Sequence, residues 1–112
     1  MPQAQSLSDL KMVADIPHWY AQAFSNTGFY LIAKYKDYET AKNYFQKALA
    51  IDPENSLAYE GLGDYFVDKK QCNKAEEAYQ NASDIDFINK RINQKLYKIN
   101  LVCLHDRTKK QN

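Results

Sequence analysis

With 112 residues the chain reads as one domain, and its formal net charge of +1 argues against a nucleic-acid binder, which needs a basic face to neutralise phosphates. Apolar and charged residues make up 45% and 26% of it, as in a globular protein, and no apolar run is long enough to cross a bilayer. Three glycines and three prolines over this length favour long helices over many short strands.

The first predicted element is a short helix over residues 8–17. Ser8-Asp9 opens it, Leu10, Val13 and Ala14 share one side, and Pro17 closes it. Ala14-Asp15-Ile16-Pro17 echoes Ala50-Ile51-Asp52-Pro53 further on, so the segment reads as the remnant second helix of a degenerate repeat and an N-terminal cap. His18-Trp19-Tyr20 follows. Core packing between that segment and the next element is the leading reading, and an exposed edge for a partner or a second copy is the other.

Residues 20–54 predict a helical hairpin. Phe24, Thr27, Gly28 and Leu31 fall at i, i+3, i+4 and i+7 in its first helix. Asp37 can cap the second, where Ala41, Phe45 and Ala48 share a face. Asp52-Pro53-Glu54-Asn55 ends it, because proline cannot continue a helix, and Ser56 can cap the next.

Residues 56–89 repeat the pattern. Tyr59, Leu62, Gly63 and Phe66 have the spacing of the earlier first helix. Gly63 costs about 1 kcal/mol against alanine in a helix interior, so close approach of a neighbouring helix is the expected compensation. Asn73 with Glu76 is a candidate capping pair. Ala41 and Ala75, Phe45 and Tyr79, Ala48 and Ala82, Ile51 and Ile85, and Asp52 and Asp86 are each 34 residues apart, the period of a helix–turn–helix repeat.

Residues 90–104 place Ile92, Leu96, Ile99 and Cys103 on one face amid Lys90, Arg91, Lys95 and Lys98, an amphipathic capping helix. Residues 105–112 read as a frayed polar tail, giving about six helices in all.

No catalytic constellation stands out, and His18 and His105 lack neighbouring carboxylates. Cys72 and Cys103 form neither a CxxC pair nor a metal-ligand spacing and are expected to be free thiols, so neither metal nor cofactor is expected. Met1 to Ser8 lacks the basic stretch and apolar segment of a secretory signal, and a cytoplasmic location is expected.

The second hairpin resembles a tetratricopeptide repeat, with Tyr59, Leu62, Gly63, Phe66, Ala75, Tyr79 and Ala82 at the signature positions. The first resembles one at Phe24, Gly28, Leu31, Ala41, Phe45, Ala48 and Pro53. Together the two resemblances cover roughly residues 20–89. There are two departures. An extra residue between Leu31 and Asp37 predicts a longer turn, and Phe87 in place of the closing proline predicts a less sharp helix end. The resemblance implies an all-α, right-handed helical solenoid of two repeats between an N-terminal helical cap and a C-terminal capping helix. It implies a non-enzymatic role, binding another protein in a concave groove lined by the first helix of each repeat.

Carried over, the groove positions of the second repeat are Leu57, Glu60, Asp64, Val67 and Asp68. The first repeat contributes Gln22, Ser25, Phe29, Ile32 and Ala33, and the capping helix Arg91, Gln94 and Lys98. Glu60, Asp64 and Asp68 form an acidic stripe at i, i+4, i+8 beside an apolar patch at Phe29 and Ile32. That surface suits a peptide or amphipathic helix carrying basic residues. The alternative, placed ahead of it, is that Arg91 and Lys98 pair internally with Glu60 and Asp64. Ser25, Phe29 and Gly61 replace the lysine and asparagine with which family members grip chaperone C-termini, so that role is not implied. An adaptor or co-chaperone leads. Behind it stand a dedicated chaperone for one client, such as a secretion-system substrate, and a subunit of a larger assembly that could include a second copy.

Overall fold

Two phased apolar faces and few breakers give five helices among residues 16–110, the part of the chain that the computed structural model describes. They are α1 (Trp19–Tyr35), α2 (Tyr38–Ile51), α3 (Ser56–Asp68), α4 (Cys72–Ile85) and α5 (Lys90–Lys110). α1 packs on α2 and α3 on α4, giving two hairpins, while α2–α3 and α4–α5 contacts stack the units in series. The architecture is the all-helical solenoid expected. The helix expected over 8–17 lies outside the described residues except for Ile16 and Pro17, and Ile16 packs on the α1–α2 core.

Aromatic rings set into glycine notches hold each hairpin together. Phe45 of α2 is fully buried with Ala41 and Ala48 on either side. A Cβ on Gly28 of α1 would overlap its ring, and so would one on Gly61 of α3. Phe45 therefore joins its own hairpin to the next. Tyr79 repeats the arrangement on α4, against Gly63 of α3. The close approach expected at Gly28 and Gly63 is present; the part played by Gly61 was not anticipated.

The turns keep the 34-residue register. Lys36 and Lys70 both take the left-handed conformation, at φ 55° and 59°, and the N-cap residues Asp37 and Gln71 follow them. Asp37 accepts a hydrogen bond from the Thr40 amide, as expected of it. The extra residue of the first repeat does not lengthen the segment between helices. It is absorbed at the end of α1, where the Asp37 amide closes on the Leu31 carbonyl; in the second repeat Gln71 closes on Phe66, one residue fewer.

Asn55, not Ser56, caps α3. Its Oδ1 accepts from the Ala58 amide at 2.9 Å and from Ser25 Oγ at 2.8 Å, and its Nδ2 donates to Gln22, so the cap also ties α3 to α1. Asn89 caps α5 in the same way, accepting from the Ile92 amide. Asn73 and Glu76 form no capping pair, because α4 begins one residue before Asn73, at Cys72. α4 ends at Ile85 as α2 ends at Ile51, and the Asp86 amide bonds Ala82 as Asp52 bonds Ala48. Phe87 thus does not blunt the helix end, because the backbone bond at the aspartate terminates it without proline.

α5 runs past residue 104, where it was expected to fray. Cys103 is buried and Arg107 reaches Asn73 and Glu76 on α4, which keeps the last turns helical. Trp19 and Tyr20 stack on each other at 4.0 Å and stay outside the α1–α2 core, whose place at the start of α1 is taken by Ala21.

Candidate functional site

The first helices of the hairpins, together with α5, line a common pocket of about 320 Å³. Asn26 and Phe29 come from α1, Leu57, Glu60 and Asp64 from α3, and Arg91 and Lys95 from α5. These positions share one side because Asn26 and Phe29, Glu60 and Asp64, and Arg91 and Lys95 are each three or four residues apart on a helix. α5 can take part because Asn89 starts it as Asn55 starts α3.

An ion-pair network forms one wall. Glu60 is 1% exposed and accepts two bonds from Arg91, Nε to Oε2 at 2.8 Å and Nη2 to Oε1 at 2.9 Å. Lys95 Nζ lies 2.7 Å from Glu60 Oε2 and 3.0 Å from Asp64 Oδ2. The Tyr79 hydroxyl donates to Asp64 from behind. Burial opposes ionisation of Glu60, but the hydrogen bonds from Arg91 and Lys95 outweigh it and hold its carboxyl below the ordinary range. The same contact raises the Arg91 guanidinium. Burial and the Asp64 charge hold the Tyr79 phenol well above its usual value, so it stays a donor.

The other wall is apolar. Phe29 is half-buried, edge-on to Phe45 with ring centroids 5.1 Å apart, and the Lys95 ammonium stands 5.6 Å from its centroid. Among the described residues no buried side-chain nitrogen or oxygen lacks a hydrogen-bond partner. The pocket offers an apolar patch at Phe29 and Leu57 beside charges that are paired with one another. The described residues hold no group of three His, Cys, Asp or Glu that could bind a metal ion, and none of their helices is long and apolar enough to cross a membrane.

Of the ten groove residues read from sequence, Phe29, Leu57, Glu60, Asp64 and Arg91 meet in this pocket. Ile32 packs on the α1–α2 core instead. Val67 and Asp68 are exposed near the end of α3, outside the pocket. Gln94 and Lys98 are also exposed and line a separate shallow depression with Lys90, Asn93 and Tyr97. Ser25 is buried by its bond to Asn55 and cannot line a groove. Internal pairing of the acidic stripe is present, with Lys95 in the place given to Lys98. Asn26 and Lys95 were missed. The signal for Lys95 was a constant offset: Arg91 and Lys95 lie 31 residues beyond Glu60 and Asp64, so two four-residue pairs face each other.

Stacked helical hairpins whose first helices line a common pocket define a class of helical-repeat scaffold. A family model described as tetratricopeptide repeat matches residues 33–92. The chain belongs to the tetratricopeptide repeat family, whose repeats generally mediate protein–protein interactions. No curated protein matches the chain.

Proposed function

We propose that the chain is a non-enzymatic binding protein that holds a peptide or helix of a partner protein in the pocket between α1, α3 and α5. The observation that carries this is the apolar slot at Phe29 and Leu57, open beside polar groups that already have partners. An entering segment gains by burying an apolar side chain there, at about 25 cal/mol per Å² of apolar surface removed from water. Its backbone can bond Asn26 at the rim. Arg91 and Lys95 neutralise Glu60 and Asp64, so the anchor is apolar, and exposed Asp68 is the acidic position left for a basic side chain of the partner.

The role we favour is a cytoplasmic adaptor or co-chaperone that reads a short motif. A dedicated chaperone for one client, or a subunit of a larger assembly, would use the same groove. Affinity capture with mass spectrometry tests the site and separates these roles. Asn26→Arg fills the rim from an exposed position, so it should leave the fold intact and remove the captured partners. Capture that survives Asn26→Arg unchanged rejects the groove. Several partners sharing a motif mark an adaptor, whereas one stoichiometric protein marks a chaperone or subunit.

A further inference from the structure

α5 has a second face that the groove does not use. Ile92, Ile99 and Cys103 are buried, with Ile99 and Cys103 packed in one cluster with Ala75 and Tyr79 of α4. On the opposite side Tyr97, Leu101 and Leu104 are 66%, 49% and 56% exposed. They fall at i, i+4 and i+7 and so form one stripe along the helix. A helix side that faces solvent ordinarily carries polar residues.

The stripe is not the seam of a third hairpin of the same geometry. Tyr97 stands 34 residues after Gly63, which stands 35 after Gly28. At those two glycines the second helix of each hairpin packs an aromatic ring against the missing side chain. A tyrosine at the third such position keeps a helix from approaching as α2 and α4 do, and leaves its own ring as a contact surface.

Charge narrows what can dock there. α5 carries seven Lys and Arg against one carboxylate, Asp106, while the chain before it holds an excess of acidic residues. Arg91, Lys95 and Arg107 are engaged with Glu60, Asp64 and Glu76. Among the described residues, Lys90 and Lys98 have no carboxylate within ion-pair distance, and they flank the stripe near Tyr97.

We propose that Tyr97, Leu101 and Leu104, flanked by Lys90 and Lys98, form a docking face for an acidic amphipathic helix of a partner protein. Apolar side chains of that helix cover the stripe, and its flanking carboxylates meet the two lysines. A second copy of this chain fits less well, since pairing two α5 helices along the stripe sets basic residue against basic residue. An anionic lipid surface fits less well too, because Ile92, Ile99 and Cys103 of α5 are already buried in the fold, and membrane binding scales with the apolar area a helix can insert.

The test uses the full chain and two labelled synthetic helical peptides with identical leucine spacing, one flanked by glutamates and one by lysines. The glutamate peptide should bind, at least about ten-fold more tightly than the lysine peptide, and more weakly as salt rises. Leu101→Glu should abolish binding without changing helicity or melting, whereas Asn26→Arg, in the groove, should leave it intact. The proposal is overturned if the glutamate peptide does not bind, if both peptides bind equally, or if Leu101→Glu has no effect. Phosphatidylserine vesicles that retain the chain through Leu101 while the peptide does not bind would assign the face to lipid. Concentration-dependent dimers abolished by Leu101→Glu would assign it to a second copy. Either result also overturns the proposal.

Discussion

Phe45 touches three helices at once, from its own α2 to the glycine notches on α1 and α3. Glycine to alanine in a helix interior ordinarily stabilises by about 1 kcal/mol. At Gly61 the new methyl would meet the ring of a fully buried side chain, and overpacking of that kind costs about 1–3 kcal/mol. Gly61→Ala should therefore lower the urea midpoint. The same substitution on a Phe45→Leu background should cost less, because the two sites share the space. A stabilised Gly61→Ala chain would show that α3 stands further from α2 than described. The cysteines make a second residue-scale case. Burial first, and the neighbouring Cys72 thiol second, push the Cys103 thiol up to about 12. Cys103 is fully buried and Cys72 only partly so, and the nucleophilic form is the thiolate. A disulfide reagent at neutral pH should modify Cys72 first and reach Cys103 only on unfolding. Equal rates at both thiols would contradict this burial.

At the scale of elements, α5 is held to α3 through a buried carboxylate. The folded-state pKa of Glu60 lies below its unfolded value, so the unfolded chain binds the extra proton as the solution is acidified. Its stabilisation is present above the unfolded value of about 4.3 and is lost as pH falls through the lower folded value. Glu60→Gln should remove that part of the acid slope in urea unfolding and lower stability near neutral pH by about 2 kcal/mol. That is below the usual cost of breaking a buried pair, because Arg91 and Lys95 can turn to water. An acid slope unchanged in the variant would contradict the pairing.

What the sequence revealed about these elements follows the reach of each interaction. The hairpins were legible because Ala41, Phe45 and Ala48 report their shared face within two turns, and the 34-residue echo confirms it. The turn after α1 was misread because the number of residues between two landmarks does not say whether the helix or the loop absorbs the extra one. The Asn55 and Asn89 caps were missed although both follow an aspartate by three residues, since a serine beside Asn55 looked as suitable. Phe29, Leu57, Glu60, Asp64 and Arg91 were expected together from helical phase and the family resemblance, and they line one pocket. Lys95 was not, because its partners depend on the register between α3 and α5, which no periodicity within a single helix encodes.

For the molecule as a whole, charge and apolar surface are unevenly divided. The pocket between α1, α3 and α5 holds ion pairs beside an apolar patch, while the outer side of α5 holds an apolar stripe with Lys90 and Lys98 at its Tyr97 end and Glu76 and Glu77 near Leu104. A binding protein with two such faces could engage two segments at once, and each can be disabled without the other through Asn26 and Leu101. The groove claim is tested most directly by site-specific photo-crosslinking. A benzophenone side chain is placed at Asn26 on the pocket rim or at Gln46, exposed on α2, and each chain is incubated with the cell extract that yields its partners. Crosslinks from position 26 and none from position 46 are expected. Crosslinks from position 46 alone, or equally from both, would contradict binding in the groove.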